Sequence, residues 1–253
     1  MEIEDPEEKK SSVELINSES DNTGIIIAST VSWTLGYFVL RRLLPGKTAE
    51  YSCRLITLMH GLVASMVGLS QCFLNENPFE HPDWITNDKQ NLLLIFSLGY
   101  FIFDLTWCSY NRTETGLMIV HHIYSIYTLK SLLSKGYSGA QACCSIGCME
   151  ITNPLLQLRW FIRSEGYHKT MTFLLVEVFF FILFFIFRLI VGSYILITVF
   201  FEKNDTDFKI ATVSLYFISV MFMIQIIKYA TLKYTSKGQC AISQIELATE
   251  RVT

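Results

Sequence analysis

Two histidines side by side, His121 and His122, are where this chain first looks capable of chemistry. A neutral imidazole is cheap to bury and sits near its switching pH, so it can serve as base, nucleophile or ligand. Ser125 and Thr128 follow at i+4 and i+7 from His121, which places the three on one helix face. His122 points about 100° away, toward Ser125 and a neighbouring helix. A second stripe, Glu150, Asn153 and Gln157, has the i, i+3, i+7 spacing of one face. Within it Pro154 removes a backbone hydrogen bond and frees a carbonyl one turn back. A kinked polar helix beside a His-His helix reads as the wall of a pocket. The bland alternative is hydrogen-bonded packing between helices.

His60, Asp104, Glu177 and Arg188 complete the polar set inside apolar segments. A charged side chain at the bilayer centre costs about 2.5–3.5 kcal/mol, so each is expected to be paired, to line a wet cavity or to do chemistry. Asp104 is expected to pair with His60 or His121. Glu177 and Arg188 share a face but lie about 16 Å apart along it, too far to pair. Each needs a partner on another helix; for Arg188 a lipid headgroup or phosphate would also serve. His60, His121, His122 and Glu150 are a conceivable metal set, but adjacent histidines on one helix do not easily share an ion, and no metal is expected. The chain shows no GxSxG elbow and no Walker-type phosphate loop.

These residues must be positioned by helices long enough to cross a membrane. The 253 residues are 51% hydrophobic and 17% charged, with mean hydropathy +0.37. The apolar residues fall in seven blocks, about 24–42, 54–74, 91–109, 116–134, 138–158, 171–201 and 210–231. Each is near the roughly 20 residues a spanning helix needs. The expected fold is therefore all-α, a polytopic membrane bundle of about seven transmembrane helices. The fourth and fifth blocks are the least apolar, and the sixth is long enough to require a tilt or kink. Residues 1–23, with eight acids, read as a disordered tail; 24–49 hold the first span and a basic loop; 50–231 hold six spans; 232–253 form a C-terminal tail. Net charge is −3, so nucleic acid is not an expected partner.

Basic residues set the orientation. Arg41, Arg42, Lys47 and Arg54, then Arg159, Arg163 and Lys169, then Lys228, Lys233 and Lys237 fall on one side of a seven-span arrangement. That side is expected to be cytosolic, with an acidic lumenal side. Asn204-Asp205-Thr206 is a glycosylation sequon on the expected lumenal side; Asn111-Arg112-Thr113 lies on the other. Of the seven cysteines, Cys72, Cys108, Cys143, Cys144 and Cys148 read as small packing residues, while Cys53 and Cys240 lie in or beyond juxtamembrane segments where palmitoylation is open to them.

His121-His122-x-x-Ser125, followed by Glu150-x-x-Asn153-Pro154-Leu155-Leu156-Gln157-Leu158-Arg159-Trp160, resembles the TLC domain family. Cys53-Arg54-Leu55 and the run Leu98 to Leu105 add to the likeness, which covers roughly residues 50–230. The family includes ceramide synthases, and the resemblance implies that His121 and His122 match their catalytic pair, with Ser125 at the Thr of their HHxxT. One histidine would activate an amine or carry the acyl group, and the other would orient or protonate. The HDxxD of the next helix in those enzymes is here Met149-Glu150-Ile151-Thr152-Asn153, which keeps one acid at Glu150.

Two functions follow as expectations. The first is membrane lipid homeostasis through a His-dependent acyl-chain transferase, with His121, His122, Glu150 and Ser125 in the chemistry and His60, Asp104, Asn153, Gln157 and Arg188 in binding. Acyl-CoA would be the co-substrate, its phosphates near Arg159, Arg163 or Lys169, and no resident cofactor is expected. The second is a non-enzymatic lipid-binding or regulatory protein using the same cavity. From the family, the endoplasmic reticulum is the first expected compartment and the plasma membrane the second. The oligomeric state is not legible.

Overall fold

The structure, a computed structural model, describes residues 6–73 and 76–235, with side chains from 22 onward. It is an all-helical bundle: α1 (Pro6–Leu43), α2 (Ala49–Ser70), α3 (Asp88–Asn111), α4 (Gly116–Lys135), α5 (Gly139–Glu150), α6 (Asn153–Ser164), α7 (Met171–Phe184), α8 (Gly192–Phe201) and α9 (Thr206–Tyr234). α5 and α6 make one broken span. α7 and α8 make another, joined through a π-helical stretch, Phe185–Val191. Five spans are long and apolar enough to cross a membrane by length and composition. Large apolar side chains such as Phe38, Phe185 and Phe200 are exposed along them, the inside-out surface that lipid requires. The backbone from Pro6 on belongs to α1, which includes most of the run read as an N-terminal tail. Lys237 and Cys240, and most of the tail read at 232–253, lie outside the described residues.

Local chemistry sets the helix ends. Asn87 and Gln90 form a reciprocal capping box at the start of α3, and Thr48, Thr115 and Thr170 cap α2, α4 and α7. Gly136 ends α4 in the left-handed conformation, at φ 72°. Pro154 stands at the start of α6, where its missing N–H is least costly. That N–H would have bonded the carbonyl of Glu150, the last residue of α5, so the break falls at a candidate site residue.

The six spans from α2 onward close into a ring: α2 packs on α3, α5 and α6, α3 on α4, α4 on α9, α9 on α8, and α7 back on α6. α1 lies outside it, against α2 and α3, with Trp33 donating to the carbonyl of Phe96 at 3.1 Å. The closest crossing is α2 on α5. A Cβ on Gly68 would meet the Gly147 backbone nitrogen at 2.6 Å, so only glycine fits there. Just beyond it, Cys72 and Cys144 form a disulfide, with Cα atoms 5.0 Å apart. This corrects the reading of both as packing residues, since no spacing in the sequence signals a pair 72 residues apart. The Cys148 sulfur lies 3.9 Å from that of Cys72, but with the disulfide formed only Cys148 remains as a thiolate donor. Cys53 is buried inside the ring at 3% exposure, which removes it as a palmitoylation site.

Candidate functional site

The ring encloses two cavities stacked along its axis. The first, about 510 Å³, opens at the basic end and is lined by Arg54, Asp104, Glu114, His122 and Arg163 among others. The second, about 130 Å³, lies toward the acidic end between α3, α4, α5, α8 and α9. Phe101, His121, Glu150 and Arg188 line both, so they form the junction. The sequence singles out three of these four.

The two histidines have different surroundings. Nε2 of His122 lies 3.2 Å from Oδ2 of Asp104, a buried imidazole–carboxylate pair, and Nδ1 of His122 has no hydrogen-bond partner. Asp104 therefore pairs with His122, not with His60 or His121 as expected, because α3 turns that face toward α4. Its other oxygen accepts from Cys53 at 3.5 Å and from Cys108 at 3.8 Å. His121 faces the junction between the aromatic rings of Phe101 and Phe222, and its Nδ1 is also unpaired. The rings of His121 and His122 are 5.6 Å apart, centre to centre. A carboxylate that holds one imidazole nitrogen fixes tautomer and orientation and favours the imidazolium that forms on accepting a proton. Such a pair can take up a proton, and the His121 ring lines the junction of the two cavities.

The stripe on α5 and α6 forms a relay. Arg54 donates to Gln157 at 3.3 Å, Gln157 to Asn153 at 2.9 Å, and Asn153 to Glu150 at 3.0 Å. His60 stands behind Glu150, its Nδ1 3.7 Å from the carboxylate, stacked on Tyr100 at 3.9 Å and bonded to Ser97. It lines neither cavity, so it supports Glu150 without reaching a ligand. The Ser125 hydroxyl, a candidate for chemistry, donates to the backbone carbonyl of His121 at 2.9 Å and lines only the second cavity.

Charge at the basic mouth is largely internally matched. Arg54 bonds Glu50 at 2.8 Å and Glu114 at 3.5 Å. Burial pushes the Glu114 carboxyl above its ordinary range, with Arg54 opposing the shift. Arg159 bonds Glu177 at 2.8 Å, and Glu177 also accepts from Lys233 and from Tyr234, so the partners expected for Glu177 are found at the cytosol-assigned end. Arg163 lines the first cavity at its mouth, whereas Lys169 does not. Arg54, Glu114, Tyr100 and Phe101 were missed as site residues: nothing in their spacing separates them from topology or packing residues. At the acidic end, Asn204 of the sequon donates to the Val199 carbonyl at 3.2 Å and caps α8.

A model of the TLC domain family matches residues 50–233, from α2 to α9. TLC domain-containing protein 4-B of Danio rerio is 24% identical over 141 residues, 55% of this chain and 52% of the relative. Human TLC domain-containing protein 4 is 27% identical over 128 residues, 49% of this chain and 47% of the relative. The high osmolarity signaling protein SHO1 of Debaryomyces hansenii is 24% identical over 117 residues, 46% of this chain and 38% of its own. The chain spans about half the length, or less, of the curated relatives it matches.

Proposed function

The chain is a multi-pass membrane protein of the TLC domain family, and from that premise we propose that it acts in membrane lipid homeostasis by transferring an acyl chain at His121 and His122. One observation carries the reading. A chamber that carries several charged side chains and opens to one membrane face meets a second, more apolar inner chamber at an imidazole, with a carboxylate-oriented imidazole beside it. The inner chamber suits the hydrocarbon tail, and the outer one the CoA moiety of an acyl-CoA or the headgroup of an acceptor lipid. His121 attacks the thioester carbonyl, and the carbon–sulfur bond breaks as the thiolate leaves. An acceptor amine or hydroxyl then attacks the acyl-imidazole, His122 takes its proton, and the bond to His121 breaks as the product forms.

The basic end is the cytosolic one in this reading, which puts the mouth where acyl-CoA is met. The Cys72–Cys144 disulfide lies at the opposite, acidic end, and an oxidising lumen suits it there. The endoplasmic reticulum is the proposed compartment. Within the family, Cys53–Leu55, Leu98–Leu105 and Glu150–Phe161 resemble TLC domain-containing protein 5, and we place the chain near that branch.

The test is a lipid profile of cells lacking the protein, rescued with wild type or with His121→Ala plus His122→Ala at matched expression. The expected result is one lipid class restored by wild type and not by the double variant. Equal rescue by both overturns acyl transfer and leaves lipid binding without turnover.

A further inference from the structure

Arg188 is a charge inside the bundle that no hydrogen bond fixes among the described residues, with Glu150 as its electrostatic neighbour. It lies in the π-helical stretch, on the inward face that Glu177, Phe180 and Phe184 begin and that Gly192, Ile195 and Val199 continue. Steps of four residues from Phe184 through Arg188 to Gly192 are what a widened turn keeps on one side, and such turns recur at functional sites. Among the described residues no hydrogen bond or ion pair engages its guanidinium. Its Nε is closed off from solvent without a partner, and the Phe184 ring centre lies 5.6 Å from the guanidinium carbon. Glu150, the anion at the junction, acts on Arg188 through space without bonding it, and is itself bonded by Asn153 and backed by His60. A guanidinium at this depth is costly unless an anion meets it.

The second cavity says what that anion is attached to. Ser125, Thr128, Ser145, Thr212 and Ser219 line it, yet each hydroxyl donates to the carbonyl four residues back on its own helix. Their hydrogens are therefore spent locally, and the chamber offers hydrocarbon and little else. A guest there has an apolar body, and its polar end must be met at the junction.

We propose that Arg188 is a headgroup receptor: its guanidinium binds the oxyanion of a single-chain amphiphile whose tail occupies the second cavity. A carboxylate and a phosphate monoester share this chemistry, and the planar fork of arginine fits either. The proposal rests on the reading that the two cavities hold one acyl lipid, and it does not depend on any reaction at the histidines.

The experiment uses the full chain in phosphatidylcholine nanodiscs, with palmitate, lysophosphatidate and hexadecanol as ligands. Wild type is expected to bind at least one of the two acids about ten-fold more tightly than the alcohol. Which acid it prefers identifies the headgroup. Arg188→Gln is expected to lose the preference and keep the alcohol, while Arg188→Lys keeps part of it. The readout is equilibrium binding with no thioester or acceptor present, so failed acyl transfer and failed recognition are read separately. A wild type that binds acid and alcohol alike, or an Arg188→Gln protein that still prefers an acid, overturns the proposal. A second measurement needs no variant: modification of Arg188 by phenylglyoxal, mapped by mass spectrometry. Protection by palmitate or lysophosphatidate but not by hexadecanol supports the site. Modification unaffected by either acid, or blocked equally by inorganic phosphate alone, overturns it.

Discussion

Asp104 holds Nε2 of His122 and leaves Nδ1 unpaired, so changing it separates orientation from fold. Asp104→Asn keeps the shape but offers an amide that favours the wrong tautomer. Acyl transfer is expected to fall by about 10²-fold or more with the melting temperature little changed. A full rate in this variant would remove the dyad from the mechanism. At the acidic end Asp205 is a simpler residue. Lys135 and Tyr137 donate to it and hold its carboxyl below the usual aspartate range. A depressed carboxyl stabilises fully above its unfolded value, about 3.9, and loses that stabilisation as pH falls through the folded value. The difference in Tm between wild type and Asp205→Asn is therefore expected at neutral pH and should close on acidification below about pH 4. A difference that persists unchanged in acid contradicts the pairing. The histidine pair and the acid stripe were legible as residue types at helical spacing. The partners were not. Which histidine meets Asp104 depends on how far α3 is rotated against α4, and that rotation is set by packing across the whole interface.

At the scale of elements, the crossing of α2 on α5 depends on Gly68 and Gly147 meeting backbone to backbone. Gly147→Val forces the helices apart and is expected to cost roughly 1–3 kcal/mol or more, as overpacking does. The check is thermal unfolding in detergent, with Gly36→Ala on α1 as control, where the nearest atom is a side-chain methyl at 3.4 Å. Equal stability of wild type and Gly147→Val would mean the crossing is not tight. The seven apolar blocks were legible because a spanning helix has a fixed minimum length. The long sixth block announced that it must bend. The shared face of Glu177 and Arg188 was legible, but that the bend is a π-helical turn at Phe185–Val191 was not, because no residue type there marks a widened turn. The break between α5 and α6 was legible through Pro154, the one residue there with a covalent reason to interrupt a helix. The Cys72–Cys144 link was not, since only the approach of α2 to α5 brings the two sulfurs together.

As a whole, the molecule is a ring of six spans with a seventh against its outside, and the family match begins where the ring begins. The ring has a charged, internally paired mouth, a junction of His121, Glu150 and Arg188, and a chamber whose hydroxyls are turned back on their own helices. That order, from charged to reactive to apolar, is the reason to read it as a site for an acyl chain. The most direct measurement is thiol release from palmitoyl-CoA by the purified chain, with sphingoid-base and lysophospholipid acceptors present. The account predicts release in wild type that falls by about 10²-fold or more in His121→Ala plus His122→Ala, at equal thermal stability. No release above background in wild type, or the same rate in the double variant, would contradict it.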